Sequence, residues 1–540
     1  MTRFRPAWTV ALVVLAVIAQ ACANQGNTNS GGPVTLRIAY PVDPRTFNGV
    51  LNYMTQSGEI DVQIYNRLLT YDKDFNLVAD LADSWNMSSD GQTYTFHLHP
   101  GVKWHDGQPF TSDDVKFTFE TVKQLALSPG AKKISALSSI DTPDANTVIF
   151  HFSSPTRPSV FANLDADTFI LPKHIYDHGD FKSNPANLHP IGTGAFRFVS
   201  YTPGVSVILD ANKDYFKGKP KVDRLVFTIT TQPAAALLAL RAGNVDTIEE
   251  SLGVPATDVA SLRNSSKYEV GSIVYYTVLH LDFNQRPEAI AKYPWLNNRD
   301  VRVALMEAID RDYLVKTALA GVTTRTDTAI SNTIKWAYSS AAASPPYDPP
   351  YDPKDAAKRL DAAGYPVKSD GTRFSFTSPV AIWGGGDQVA PAMAQMWKQI
   401  GVAVTAQPIE LNAFIDQYYG NNGLGDVPMA ITGDQTGPDP IEINSTYSST
   451  NPVPNGNNWN GYHNAQVDQL LAEATTKISQ ADQKPLYDQV QIVINQDAWF
   501  LQLYNNYHIE VWSKCFDGFN QTHRPLAWFA NYAGIYKTSC

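Results

Sequence analysis

Apolar and polar positions alternate with a period of two along TYTFHLH (93–99), so that Tyr94, Phe96 and Leu98 fall on one face and His97 and His99 on the other. That is the pattern of a strand with one buried face. VTLRIAY (34–40) alternates in the same way, while IDVQIYNRLLTYD (60–72) has the spacing of a helix running into a short loop. Thr111 and Asp114 form a capping-box arrangement ahead of Val115, Phe119 and Val122, which share one helical face. Asp352 caps a second predicted helix, with Pro353 at its first position and Gly364 just past its end. Val389, Met393, Met396 and Ile400 make the apolar stripe of a third, which stops at Gly401 and is followed by the strand-like GVAVTAQPIEL. A fourth starts at Asn464 and buries Val467, Leu470, Leu471, Ala474 and Ile478. Strands mixed with helices throughout predict α/β lobes. The proline-rich SSAAASPPYDPPYDP (339–353) reads as a stiff, extended surface crossing within a lobe.

A chain of 540 residues exceeds what one growing core organises, so two or three lobes are expected. The formal net charge of -10, with no basic tail or stripe, argues against nucleic-acid binding, which needs clustered cations to neutralise phosphates. Arg3 and Arg5 precede a short apolar run, Ala7 to Ala19, and small residues follow, which is the shape of a secretory signal over 1–21. Ala19-Gln20-Ala21-Cys22 resembles a bacterial lipobox, in which Cys22 would be lipidated and residues 22–33 would form a flexible tether. It departs from that pattern in lacking Leu three residues before the cysteine and a small residue two before; Ala-Gln-Ala also suits an ordinary signal peptidase. Cys515 and Cys540 remain. In an oxidising compartment they are expected to pair and to pin the tail with Trp528, Phe529 and Tyr532, the alternative being one buried and one frayed thiol.

Reactive signatures are missing: there is no His-Glu-x-x-His helix, no Gly-x-Ser-x-Gly elbow and no phosphate loop ending in Gly-Lys-Ser/Thr. GTGAF at Gly192 lacks a third glycine, and the glycines 384–386 lack a following Lys. The richest cluster, 90–115, holds His97, His99 and His105 among four aspartates. Asp106-Gly107 is turn chemistry, and Asp113 and Asp114 suit a first helical turn, so these residues are expected to be scaffold and not a metal site. No catalytic residue, metal or other cofactor is expected.

LADSWNMSSDGQTYTFHLHPGVKWHDGQPFTSDDVKFTFE (81–120) resembles the signature region of the family 5 extracellular solute-binding proteins, the dipeptide-, oligopeptide- and nickel-binding components of ABC importers. The resemblance continues in the same order through GTGAFRFVSYTPGVSVILDANKDYFKGKPKVDRLVF, ALLALRAGNVDTIE, NNRDVRVALMEAIDRDYLVKTALAG, YDPKDAAKRLDAAGY and NWNGYHNAQVDQLLAEA. It implies a periplasmic-binding-protein-like α/β flytrap of the class II type, with three domains and two large lobes joined by a two-strand hinge, one crossing matching YYTVLHLDFN (275–284). Residues 34–57, 192–280 and 505–540 would form lobe I, 58–191 domain II and 281–504 lobe III. The resemblance further implies a lipid-anchored monomer outside the cytoplasm that captures di- to oligopeptides and delivers them to ABC permease subunits. A non-peptide solute, such as an oligosaccharide or metal-chelate, is the alternative, and a secreted hydrolase a remote one.

MAITGDQTGPDPIEI (429–443) resembles the family's loop in which an Asp meets the ligand's α-amino group, which places Asp434 in that role with Thr432 and Gly433 beside it. Asp439 fits a turn instead. SPVAIWGGGDQ (378–388) lacks the Arg that clamps a dipeptide carboxylate in the family, which favours a longer peptide or another ligand class. Aromatic Tyr53, Trp383 and Trp459 are expected to line the cleft, and Asn284 to contact the ligand.

Overall fold

The computed structural model describes residues 32–51, 55–72, 76–125, 134–162, 169–249, 252–254, 256–409, 411–419, 423–433, 439–453, 456–519 and 531–540. The signal segment, most of the tether, Cys22, Tyr53, Asp434, Trp528 and Phe529 lie outside them.

Two strands far longer than the rest, Tyr268–Phe283 and Phe500–Ser513, pair antiparallel and run through the whole molecule. They form the middle of a ten-stranded sheet. On one side lie Thr247–Ile248, Thr35–Tyr40, Arg224–Ile229, Ser206–Ala211 and Phe196–Thr202, the sheet of a first lobe. On the other lie Met429–Gly433, Phe374–Ala381 and Val402–Ile409, the sheet of a far lobe. In the first lobe Thr35–Tyr40 runs parallel to both its neighbours. In the far lobe Phe374–Ala381 does the same. These parallel strands are rich in Leu, Ile, Val and Phe, as sheets covered on both faces require. The result is the mixed α/β architecture expected, with two large bodies joined by two strands.

A small domain stands beside the first lobe. Its antiparallel sheet orders Ala82–Met87, Thr93–Leu98, Thr147–Phe152 and Leu137–Asp144. The helix Ser112–Leu125 covers it with Val115, Phe119 and Val122, and Thr111 and Asp114 close the cap as their spacing predicted, Asp114 Oδ2 accepting from Thr111 N at 2.9 Å. Tyr94, Phe96 and Leu98 are buried and His97 is exposed. Phe161 touches Phe96, Phe119 and Phe150 with ring centroids 4.6–5.8 Å apart, so the aromatic content of this stretch is core.

Small residues and one histidine weld this domain to the first lobe. A Cβ on Gly192 or Gly194 would overlap the backbone carbonyls of Ile64 and Gln63, so only glycine lets the two segments meet. His105 keys the same seam: its Nδ1 accepts from Gly192 N at 3.2 Å and its Nε2 donates to Gly194 O at 3.0 Å. Desolvation holds the ring down to about 4, with nearby Arg197 adding to the effect. GTGAF is therefore a joint.

Elsewhere the helices start where their caps placed them, at Pro353 after Asp352 and at Ala465 after Asn464. The segment 339–353 differs from expectation. It folds into successive turns, with Ala343 N donating to Ser339 O and Tyr347 N to Ser344 O. Ser339 is buried against Gln491, and the Gln491 and Asn495 side chains satisfy Ala337 O and Ala342 O. Buried carbonyls draw the chain inward, which proline stiffness alone does not reveal. At the carboxyl terminus Cys515 and Cys540 are bonded with Cα atoms 5.2 Å apart. Tyr532 is buried, its N–H donating to Gln63 Oε1 at 2.9 Å. Closing a loop of 25 residues is worth about 3 kcal/mol in the chain-entropy model.

The seam gives a pH prediction. His105 titrates lower folded than its ordinary 6.5, so the unfolded chain takes up the proton first as pH falls. The stability it contributes is whole above pH 6.5 and is lost progressively toward about 4, a loss of about 3 kcal/mol over that window. Urea unfolding at stepped pH should show that loss in the wild type and a shallower slope in His105→Gln. Equal slopes would mean that the ring is not held neutral in the seam.

Candidate ligand-binding cleft

Strand direction decides where a cleft can form. Gly433 pairs with Leu279, so the strand Met429–Gly433 points its carboxyl end back toward the first lobe. Ile248 pairs with Val511, so Thr247–Ile248 points its carboxyl end toward the far lobe. The carboxyl ends of the parallel strands in both lobes therefore face each other across the crossing pair. Ligands of open α/β sheets sit beyond such ends. Between the register positions Tyr504 and Val511 the crossing strand spans about 20 Å, room for an extended chain of several residues.

The floor of this gap is irregular. Pairing of the crossing strands shifts between Val274↔Tyr507 and Val278↔Asn505, so Tyr275, Tyr276 and Thr277 stand opposite the single residue Asn506. A bulge of this kind sharpens local bend and twist, and it places the flexible joint of the ladder midway between the lobes. On it rests the loop from Ile382 to Gly386. Gly384 and Gly385 have positive φ (58° and 82°), and a Cβ on Gly385 would come within 2.7 Å of Leu319 and 2.9 Å of the Tyr507 hydroxyl. The glycines that stand near the family's missing Arg are thus demanded by a close approach to the hinge. The helix Gly386–Gln399 begins there with no side-chain cap.

The expected site residues separate into three groups. Trp383 and Gly433 meet: a Cβ on Gly433 would lie 2.7 Å from the Trp383 ring, which is half-buried at the mouth of the far lobe, beside exposed Ile382. Trp383 and Trp459 both pack on a small separate apolar cluster of Ala381, Phe414, Tyr418, Leu424 and Ala430, where Phe414 lies 6.3 Å from the Trp459 ring. Thr432 and Asn284 lie deeper. Thr432 is buried and its hydroxyl donates to Asp282 Oδ2 at 2.8 Å. Asn284, fully buried, donates to Gly425 O and Val427 O, both at 2.8 Å, and its Oδ1 accepts from Arg286 N at 3.0 Å. Its carboxamide is committed to the far lobe's own loop. Asp434 and Tyr53 fall outside the described residues.

A buried pair escaped the sequence reading. His280 and Asp282, 0% and 1% exposed, are hydrogen-bonded through Nδ1 and Oδ1, and Asp282 also holds Thr432, directly before Gly433. The signal was present in VLHLDFN: His280, Asp282 and Asn284 alternate with Leu279, Leu281 and Phe283. A polar residue at every second position of a strand buried on both faces signals an internal polar network. Among the described residues no group of three His, Cys, Asp or Glu side chains is placed to hold a metal ion. No described helix is long and apolar enough to cross a membrane.

Fold and cleft together define a two-lobed α/β binding protein that hinges on a strand pair. The profile of the bacterial extracellular solute-binding proteins, family 5, matches residues 76–455, and the chain belongs to that family. It is 30% identical over 488 residues to a Brucella ovis protein provisionally named as an ABC transporter peptide-binding protein, covering 87% of this chain and 86% of that one. The oligopeptide-binding protein AppA of Bacillus subtilis is 26% identical over 519 residues, with 91% and 92% covered. Among solved structures, the ABC transporter substrate-binding protein CtaP of Listeria monocytogenes superposes with a TM-score of 0.81 at 25% identity, covering 95% of this chain and all of that one.

The buried network makes a prediction. Asp282→Ala strips a carboxylate from both His280 and Thr432 and should cost about 3 kcal/mol, against about 1 kcal/mol for Thr432→Val. Urea denaturation midpoints, read with the slopes held common, measure both. An Asp282→Ala protein as stable as the wild type would remove the network from any account of the far lobe.

Proposed function

We propose that the protein captures peptides outside the cytoplasm and presents them to the permease subunits of an ABC importer, without catalysing a reaction. The observation that carries this is the opposition of strand carboxyl ends across a bulged two-strand hinge, in a chain whose relatives are named for peptides. A peptide lying across the crossing touches both lobes, and only a ligand that touches both can favour closure. Trp383 and Gly433 form the far wall, with Asp434 meeting the ligand's amino group and Tyr53 facing them from the first lobe. Thr432, Asn284 and Trp459 hold that wall from behind.

The domain division follows the same reading: residues 34–57, 192–280 and 505–540 as the first lobe, 58–191 as the small domain and 281–504 as the far lobe. Residues 1–21 direct export, Cys22 carries the lipid, and the tether to residue 33 lets a monomer reach the permease. The absence of an Arg in 378–388 favours peptides longer than two residues, whose carboxylate is held elsewhere than beside Trp383.

Native mass spectrometry of the protein from its own cells should reveal a ladder of carried peptides; a sugar or chelate in their place would reassign the solute. Asp434→Ala should weaken a free-amine peptide by a few kcal/mol, the usual effect of removing one partner of a buried charge pair. The same peptide N-acetylated should bind wild type and mutant alike. If the free-amine peptide also binds both equally, measured by calorimetry, Asp434 does not meet the amino group.

A further inference from the structure

Away from the cleft, one arginine of the small domain is embedded in the far lobe. Arg157 Nη1 donates to Asp439 Oδ1 at 2.9 Å, and its Nε reaches Lys477 O at 3.3 Å. Nη2 donates to Ala474 O, and Nη1 also approaches the Tyr487 hydroxyl at 3.4 Å. Ser159 donates to the other oxygen of Asp439, Oδ2, at 2.9 Å. The side chains of Arg157 and Asp439 are 11% and 16% exposed, 282 residues apart in the chain. Both ends are anchored. The Arg157 segment is held to the small domain by Tyr94, whose hydroxyl donates to Thr156 O, and by Thr156 N donating to Gly91 O at 3.0 Å. Asp439 caps the turn Pro440–Ile443 by accepting from Ile441 N at 3.1 Å. Ile478 of the far lobe sits where a Cβ of Gly91 would be, extending the contact.

The small domain is welded to the first lobe at Gly192, Gly194 and His105, whereas the far lobe joins the first lobe through the strand crossing. A rotation about the bulge at Tyr275–Thr277 would carry Asp439 away from Arg157 and break the bonds that Arg157 and Ser159 make to the far lobe. We propose that Arg157 is a clasp on the closed state: a positioning residue for binding that sets affinity without touching the ligand. It rests on the reading of the protein as a hinged binder of peptides. A guanidinium that meets a carboxylate, two carbonyls and a hydroxyl only when the lobes are together adds differential free energy to closure. Lys, with a single charged nitrogen, cannot satisfy that set.

The test compares wild type, Arg157→Ala, Arg157→Lys and Ser159→Ala as full mature chains, with melting checked first. The probe is a synthetic pool of free-amine tetra- to nonapeptides, fluorescently labelled at the carboxyl end. Removing the clasp should speed peptide dissociation roughly tenfold and leave association nearly unchanged, as expected when only the closed population shifts. Arg157→Lys and Ser159→Ala should fall between. Small-angle scattering should show a larger radius of gyration for Arg157→Ala than for wild type, with and without peptide. Identical dissociation rates and radii across the set would overturn the clasp. A wild type that ignores the pool would instead sink the peptide assignment, and the ligand-free radii would then decide the clasp alone. Should Arg157→Ala not fold, the milder Arg157→Lys and Ser159→Ala carry the same comparison.

Discussion

Everything in this molecule hangs on one antiparallel ladder, Tyr268–Phe283 against Phe500–Ser513. It is the core of the sheet in both lobes, and between them it is the floor of the gap that a ligand would fill. The ladder has to be rigid at its ends and deformable in its middle. Over 268–274 the pairing runs residue for residue; in the middle three residues oppose one and the ladder is interrupted, with a second, smaller shift after Leu279. Chain direction does the rest, since strands laid beside this ladder in opposite senses bring their carboxyl ends to the same place.

The polar residues of the crossing strand show how the far lobe holds its wall steady. A strand buried on both faces has no solvent in which to leave a carboxylate or an imidazole, so His280, Asp282 and Asn284 are bonded into neighbouring loops and strands. Such a network fixes the register of Met429–Gly433 against the ladder more tightly than aliphatic contacts do, because a slip would strand each group without its partner. Trp383 then needs only the bare backbone of Gly433 to lie against.

Much of this was legible in the chain. Periodicity and caps located the small domain's strand and helix and helices of the far lobe, because those signals are local: Tyr94, Phe96 and Leu98, or Asp352 before Pro353, carry their meaning within a few residues. The histidine-rich stretch could be read as scaffold, although the specific task of His105 could not, since its partners lie some ninety residues away at Gly192 and Gly194. Arg157 and Asp439 were invisible as a pair for the same reason, and Asp439 looked like a turn residue because it is also one. The proline-rich segment misled by composition: its turns are set by Gln491 and Asn495, which no property of the segment itself announces.

The first lobe is written at both ends of the chain. Its sheet opens with Thr35–Tyr40, yet it is finished by the strand ending at Ser513, by Tyr532 on the Gln63 side chain, and by a covalent bond to the last residue, Cys540. A chain that folds from its amino end must therefore carry an unfinished lobe until these later segments arrive. The small domain's four-stranded sheet is complete within residues 82–152 and waits for none of them. The floor of the gap comes into being only with the second crossing strand, so a chain cut just before Phe500 has more than nine-tenths of the sequence and no ladder.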